Sequence, residues 1–265
     1  MRTGRSCLSC KNYKSKTPVN KMRYFLEIAY KGTAYHGWQI QPNAISIQEK
    51  IQDALALVFR KPISIMGAGR TDTGVHAKQL FAHFDMEKPI DIPTIAYKLN
   101  GILPNDIAIL NIHHVQDDAH ARFDATSRSY KYYINTQKNP FTSESSWFVK
   151  QELDIQLMNK AAEKLLQYTD FQCFSKSNSD VKTYLCDIQE AFWQKEGDLL
   201  VFTITANRFL RNMVRAIVGT LVAIGSKKLS IDDLDAIIKS KNRSNAGTSA
   251  AAQGLFLVAI KYPYL

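Results

Sequence analysis

Hydrophobic and polar residues alternate from Met22 to Tyr30, with Met22, Tyr24, Leu26, Ile28 and Tyr30 on one side. That period of two predicts a half-buried strand. The alternation stops at a polar turn, Lys31-Gly32-Thr33, followed by the aromatic cluster Tyr35, His36 and Trp38. Ser46 and Glu49 then stand at the spacing of a capping box. Behind them Ile47, Ile51, Ala54, Leu55 and Val58 recur at helical intervals, so the pattern predicts a helix to about Phe59. Residues 62–66 and 79–86 read as strands, the second with Leu80, Ala82 and Phe84 on one face. Asp91 with Pro93 marks a further helix start, which ends near Asn100-Gly101, and 106–115 is β-branched and strand-like.

The first half therefore reads β-α-β-β-α-β, the order of a ferredoxin-like split βαβ unit. The second half opens with a strand over 128–136 and a helix capped by Asp154. Strands over 184–194 and 199–206 follow, joined at Glu196-Gly197-Asp198. Leu210, Met213, Val214, Ile217, Val218, Leu221 and Val222 give a strongly apolar helix face that stops at Gly225. Ser230 caps a short helix, 242–254 is a small-residue loop, and 255–262 is a closing strand. The expected class is α+β, and two such sheets could join edge to edge with a cleft between them.

Between the strands over 62–66 and 79–86 lies Gly67-Ala68-Gly69-Arg70-Thr71-Asp72-Thr73-Gly74-Val75-His76-Ala77. Its three glycines permit tight turning and close approach, and it carries an arginine, a carboxylate and two hydroxyls. A dinucleotide fingerprint starting at Gly67 would need glycine where Asp72 stands. A P-loop starting at Gly69 would need Lys and Ser/Thr where Val75 and His76 stand. The carboxylate of Asp72 can serve as nucleophile, general base or metal ligand, and it has no second carboxylate nearby, against glycosidase-like or two-metal hydrolysis. Arg208, Arg211 and Arg215 lie near or on one side of the apolar helix, either as a solvated basic face or as a phosphate rail with one member pairing Asp72. Tyr130, Tyr132 and Tyr133 read as core and cross-strand packing. His76, His113, His114 and His120 show no metal-ligand spacing and read as packed or surface histidines.

Charge changes the picture only at the N-terminus. Of a formal +10, residues 1–21 contribute +6 with no acidic residue, leaving 28 basic and 24 acidic side chains in the rest. These first residues lack periodicity and are expected to be a disordered basic tail, with Met22 as a candidate translation start. Cys7 and Cys10 invite a zinc or redox reading, but Cys173 and Cys186 complete no usual ligand pattern. There is neither an apolar stretch long enough to span a membrane nor a secretory h-region, so the expected location is the cytoplasm.

Several blocks together resemble the TruA family of tRNA pseudouridine synthases. They are GAGRTDTGVHA, Gly37-Trp38-Gln39, Asn105-Asp106-Ile107, Ala121-Arg122-Phe123, Arg128-x-Tyr130-x-Tyr132, Asn212-Met213-Val214-Arg215 with Val218-Gly219, and Gly254-Leu255-x-Leu257. The resemblance is collinear from about Met22 to Pro263. It implies pseudouridine formation at positions 38, 39 and 40 of the tRNA anticodon stem-loop, with Asp72 as nucleophile. Tyr130 would pack against the target base, Arg215 would pair with Asp72, and Arg70 would contact the RNA and help the uridine leave its stack. It further implies two ferredoxin-like domains, over 22–116 and 117–265, with a joined, mainly antiparallel sheet and a central active-site cleft. A homodimer without metal or cofactor completes the expectation. Lys31, Thr73 and Ala119 depart from residues usual in the family.

Overall fold

The computed structural model describes residues 21–177 and 181–265. Residues 1–20 of the expected tail, with the Cys7/Cys10 pair, lie outside the described residues.

The alternating segment forms strand β1, Met22–Tyr30, and helix α1 follows over Ile47–Phe59. The capping box is present: Glu49 N donates to Ser46 Oγ at 3.2 Å, and Ser46 N donates back to the Glu49 carboxylate at 3.4 Å. Strand β2 is only Met66–Gly67, shorter than the expected 62–66. The reason is that α1 takes over the polar groups of Ile65. Its backbone N–H donates to Gln52 Oε1 at 3.1 Å, and its carbonyl accepts from Gln48 Nε2 at 2.9 Å. With both groups satisfied by side chains, no ladder is needed there. Strand β3 runs from His76 to Met86, α2 covers Ile92–Ile102 and β4 covers Ile107–Val115.

The second half begins with β5, Ser127–Asn135, and a two-residue β6, Trp147–Phe148. Helix α3, Ile155–Lys164, is capped by the Asp154 carboxylate, which accepts from Leu157 N at 2.9 Å. Strands β7, Ile188–Glu196, and β8, Leu199–Ala206, precede α4, Met213–Gly225, and α5, Ile231–Ser240. Strand β9, Leu255–Lys261, closes the chain.

All the strands belong to one open sheet with the order β4-β1-β3-β9-β5-β8-β7, while β2 adds to β3 and β6 to β5. The long pairings are antiparallel, whereas two short contacts are parallel: β5 with β6, and β3 with β9, where His76 faces Phe256 and Ala77 faces Leu257. Strand β3 thus divides one edge. Its far portion, Ala82 and His83, takes β2, and its first two residues take β9. The last strand in sequence therefore joins the two halves of the sheet at the point where the glycine-rich loop enters β3.

Two apolar cores fill the halves. One gathers Leu26 and Ile28 of β1, Ile47, Ile51 and Leu55 of α1 and Leu99 of α2. The other gathers Tyr132 and Ile134 of β5, Met158 of α3, Phe202 of β8 and Ile217 and Leu221 of α4. Each half also lends residues to its neighbour. Val75 of the loop packs in the second core, and Leu257, Ile260 and Tyr262 pack in the first.

The opposite face of β1 is covered as well, which simple alternation does not anticipate. Phe25 is fully buried against Phe81, His83, Tyr262 and Tyr264. Arg23 fixes this layer by donating to Asp85 at 2.7 Å and to the Ala119 carbonyl at 2.8 Å. His83 accepts from Ala121 N through Nδ1 at 3.2 Å, and its burial, reinforced by Arg23, pushes its pKa down to about 4. A histidine that charges at about 6.5 when unfolded then contributes stability in full above that pH and loses it as pH falls toward 4. The shift is worth about 3 kcal/mol. Denaturant melts at pH 7 and pH 4.5 should show this loss in the native chain and a flatter dependence in His83→Asn, which cannot charge. Equal slopes in both proteins would remove His83 as the cause.

Candidate active site

The glycine-rich loop is held from beneath by β1 and the turn after it. Tyr30, the last residue of β1, is buried and its hydroxyl lies 2.8 Å from Thr71 Oγ1. Trp38 N donates to the Thr71 carbonyl at 3.3 Å, and Gly74 N donates to the Tyr35 carbonyl at 3.3 Å. Gly37 has φ +89°, and a Cβ there would strike the Thr71 carbonyl. The loop glycines serve the protein as much as any ligand. Gly67 leaves room for the Trp38 indole and Gly74 adopts φ +76°, while Gly69 alone among the three faces open space.

His76 closes the loop. It is buried, stacks on Phe256 with ring centroids 4.4 Å apart, and accepts from Gly32 N through Nδ1 at 3.0 Å. With Nδ1 accepting, Nε2 carries the proton and donates to the Gln253 carbonyl at 3.1 Å. Burial holds its pKa below the ordinary value, so the neutral form persists. His76 is therefore a packed histidine, not a surface one. It ties β1, the loop and the segment before β9 together. Lys31, one of the residues that depart from the resembled family, forms an ion pair with Glu144 and so also bridges the halves. Ala119 is buried, and Thr73 is exposed.

Asp72 is a quarter exposed and meets two arginines brought from the other half of the chain. Its Oδ2 lies 3.4 Å from Arg215 Nη1, a contact that spans 143 residues of sequence. Arg215 sits in the first turn of α4 and is itself anchored, since its Nε donates to the Ala250 carbonyl at 2.7 Å. Ala250 N donates back to the Arg215 carbonyl at 2.9 Å. Close packing keeps that loop in place: a Cβ on Gly219 would collide with the Thr248 carbonyl. Asp72 Oδ1 faces Arg211 Nε at 3.8 Å. Of the three arginines near α4, Arg208 donates through Nη1 to the carbonyls of Thr183 and Leu185, at 2.9 and 3.3 Å. The three side chains therefore do different things and do not form a uniform rail.

Tyr130 is half-buried on β5, edge-on to Phe209 with centroids 5.1 Å apart. Burial pushes its hydroxyl up to about 12, with Arg128 opposing the rise and the Asp72 charge adding to it. Tyr130 is therefore within electrostatic reach of Asp72 and stays protonated at neutral pH. Its neighbours are engaged elsewhere: the Tyr132 hydroxyl donates to the Ala251 carbonyl at 2.7 Å, and the Tyr133 hydroxyl accepts from Lys78 at 3.2 Å. Core packing describes Tyr132 well, whereas the Tyr130 hydroxyl feels the Asp72 charge. Arg70 is exposed and makes no hydrogen bond or ion pair with any described residue.

Among the described residues no group of three or more His, Cys, Asp or Glu side chains could hold a metal ion. Cys173 and Cys186 are buried, free thiols whose pKa values burial raises to about 12 and about 11. No helix among the described residues is long and apolar enough to cross a membrane.

Sequence comparison bears on what this carboxylate-arginine-tyrosine site serves. A family model described as tRNA pseudouridine synthase matches residues 161–263. The chain is 55% identical over 247 residues to tRNA pseudouridine synthase A of Bacteroides fragilis, which covers 92% of this chain and 98% of that protein. It is 53% identical over 242 residues to tRNA pseudouridine synthase A of Parabacteroides distasonis, covering 91% and 96%. Similarity extends to tRNA pseudouridine synthase A of Thermoanaerobacter pseudethanolicus, 40% identical over 89% of this chain and 97% of that one. With most of its length aligned to such relatives end to end, the chain belongs to the TruA family of tRNA pseudouridine synthases.

Proposed function

We propose that this enzyme, a pseudouridine synthase and hence an isomerase acting on tRNA, converts uridine at positions 38, 39 and 40 of the anticodon stem-loop with Asp72 as nucleophile. The observation that carries the assignment is the Asp72–Arg215 pair, assembled from the two halves of the chain within electrostatic reach of Tyr130. Isomerisation is redox-neutral and needs no external reagent. An Asp72 oxygen forms a bond to ribose C1′ as the C1′–N1 bond breaks, and the electron pair leaves with the uracil ring. The ring turns, C5 bonds to C1′ and displaces the carboxylate, the C5 proton goes to solvent, and N1 takes up a proton.

A base inside a stem must first be flipped, at a cost of about a few kcal/mol. Arg70, exposed two residues before Asp72, is suited to fill the vacated stack and to contact the RNA. Tyr130 packs against the flipped base, and its protonated hydroxyl can donate a hydrogen bond to the departing ring. Tyr130→Phe should keep the packing and lose about 100-fold in single-turnover rate, the scale of one acid-base contribution. A wild-type rate would limit Tyr130 to stacking.

The strand orders β4-β1-β3-β2 and β9-β5-β8-β7 support two ferredoxin-like domains, over 22–116 and 117–265, flanking an active-site cleft. Recognition by A-form shape and phosphate contacts suits an enzyme accepting neighbouring positions in many tRNAs. We assign the active form as a homodimer in the cytoplasm. An unmodified tRNA transcript labelled with tritium at uridine C5 tests the reaction, since each conversion releases one label. Release confined to positions 38–40 is expected, and release elsewhere or none at all would overturn the assignment. Light scattering should give twice the chain mass, and a monomer would refute the dimer.

A further inference from the structure

The two arginines on Asp72 are held very differently. Arg215 has about a fifth of its side chain exposed and a second anchor on the Ala250 carbonyl. Arg211 is more than half exposed, stands 3.8 Å from Oδ1, and its guanidinium has no second partner among the described residues. Its backbone is nevertheless fixed. The Arg211 carbonyl accepts from Lys176 N at 3.0 Å, and Asn212, at φ +66°, donates through Nδ2 to Ser249 Oγ at 2.7 Å. The result is a long cationic side chain swinging from a rigid base just before α4.

An exposed pair at that separation is weak, because solvent screens it and ordering the side chain costs entropy. A phosphate offers a guanidinium two parallel charge-assisted hydrogen bonds, a stronger partner than one carboxylate oxygen at 3.8 Å. RNA that reaches Asp72 brings its phosphates with it. Oδ2, by contrast, stays with an arginine that has nowhere to go.

Resting on the reading of Asp72 as nucleophile, we propose that Arg211 is a substrate-binding residue that covers Asp72 Oδ1 in the free enzyme and transfers to a phosphate of the target strand when tRNA binds. The transfer uncovers Oδ1, which is then the oxygen that bonds to C1′ as the C1′–N1 pair leaves with uracil. Arg215 keeps Oδ2 and fixes the carboxylate plane throughout. The same move prevents the free enzyme from holding an uncovered carboxylate in a site that must accept a polyanion.

The test is tRNA affinity as a function of salt, with single-turnover rates at saturating tRNA, for the native chain, Arg211→Ala and Arg211→Lys. Arg211→Ala should bind about tenfold more weakly at low salt and reduce the slope of log Kd against log salt by about one, as loss of one phosphate contact requires. Its saturated rate should stay within about threefold, because a contact made equally in the bound ground state and the transition state changes KM and spares kcat. Arg211→Lys keeps the charge and should restore the slope. An unchanged slope in Arg211→Ala overturns the proposal. So does a rate loss of about 100-fold with normal affinity, which would make Arg211 a fixed holder of the carboxylate. Asp72→Asn serves as the control. If it is inactive while Arg211→Ala keeps its slope, only the role of Arg211 fails. If Asp72→Asn remains active, the underlying assignment fails instead.

Discussion

Asp72→Asn should lose pseudouridine formation by about 10⁴-fold or more while tRNA binding stays the same or tightens. The substitution is nearly isosteric, so Tyr30 still meets Thr71 and the Tyr35 carbonyl still receives Gly74 N. What disappears is the negative charge and with it the nucleophile, and loss of a nucleophile commonly costs several orders of magnitude in turnover. The binding arm follows from the sign of the local charge. Asp72 is the acidic partner of Arg211 and Arg215, so neutralising it removes a negative charge that repels phosphate and leaves the exposed Arg211 without its carboxylate. Tritium release under single-turnover conditions measures the first effect, and filter binding at fixed salt measures the second. Residual activity above about 1% of native would remove Asp72 as the nucleophile, since an amide cannot replace it. Loss of activity accompanied by loss of binding would point to a damaged loop.

The parts of this site that could be read from the sequence were those written in local spacing. The loop, its carboxylate and the apolar stripe that carries Arg215 lie in continuous runs, and the capping boxes at Ser46 and Ser230 fix where two helices begin. What escaped was set by distant partners. Strand β2 shrank to Met66–Gly67 because Gln48 and Gln52, about one turn apart on α1, supply the hydrogen bonds Ile65 would otherwise seek in a ladder. Likewise β9 reads as a closing strand, but nothing in its alternation says that it slots between β3 and β5. The different uses of Arg208, Arg211 and Arg215 were equally hidden, since spacing along a helix carries no information about carbonyls contributed by Thr183 or Ala250. His76 lacked any ligand spacing and proved to be a packed residue, yet its two ring hydrogen bonds join three segments that only the fold brings together. Family resemblance supplied what periodicity could not: a proposed reason for Tyr130, which by its strand context is one more aromatic in a sheet.

Arg215→Ala is expected to reduce turnover by about 10³-fold with tRNA affinity changed by less than about fivefold, a split that distinguishes orientation from binding. The geometry gives two reasons. Arg215 is the anchored member of the pair on Asp72, tied to Ala250 in both directions, so its removal frees the carboxylate to rotate away from the approach to C1′. Its side chain is largely covered, which limits its contribution to phosphate binding in comparison with Arg211. Truncation also exposes a test of the alternative. If Arg215 acted only through charge, Arg215→Lys would restore most of the rate, because a lysine carries the same charge. A lysine cannot, however, donate from Nε to Ala250 and from a second nitrogen of a planar fork to Asp72, so the fixed-plane role predicts that Arg215→Lys recovers less than about a tenth of the native rate. Near-complete rescue by lysine would show that charge alone suffices, and a pure binding defect in Arg215→Ala would contradict the pairing as the source of its effect. Thermal melts of both variants separate these outcomes from unfolding, since the Ala250 contact holds the 248–251 segment against α4 and its loss lowers stability whatever happens to the reaction.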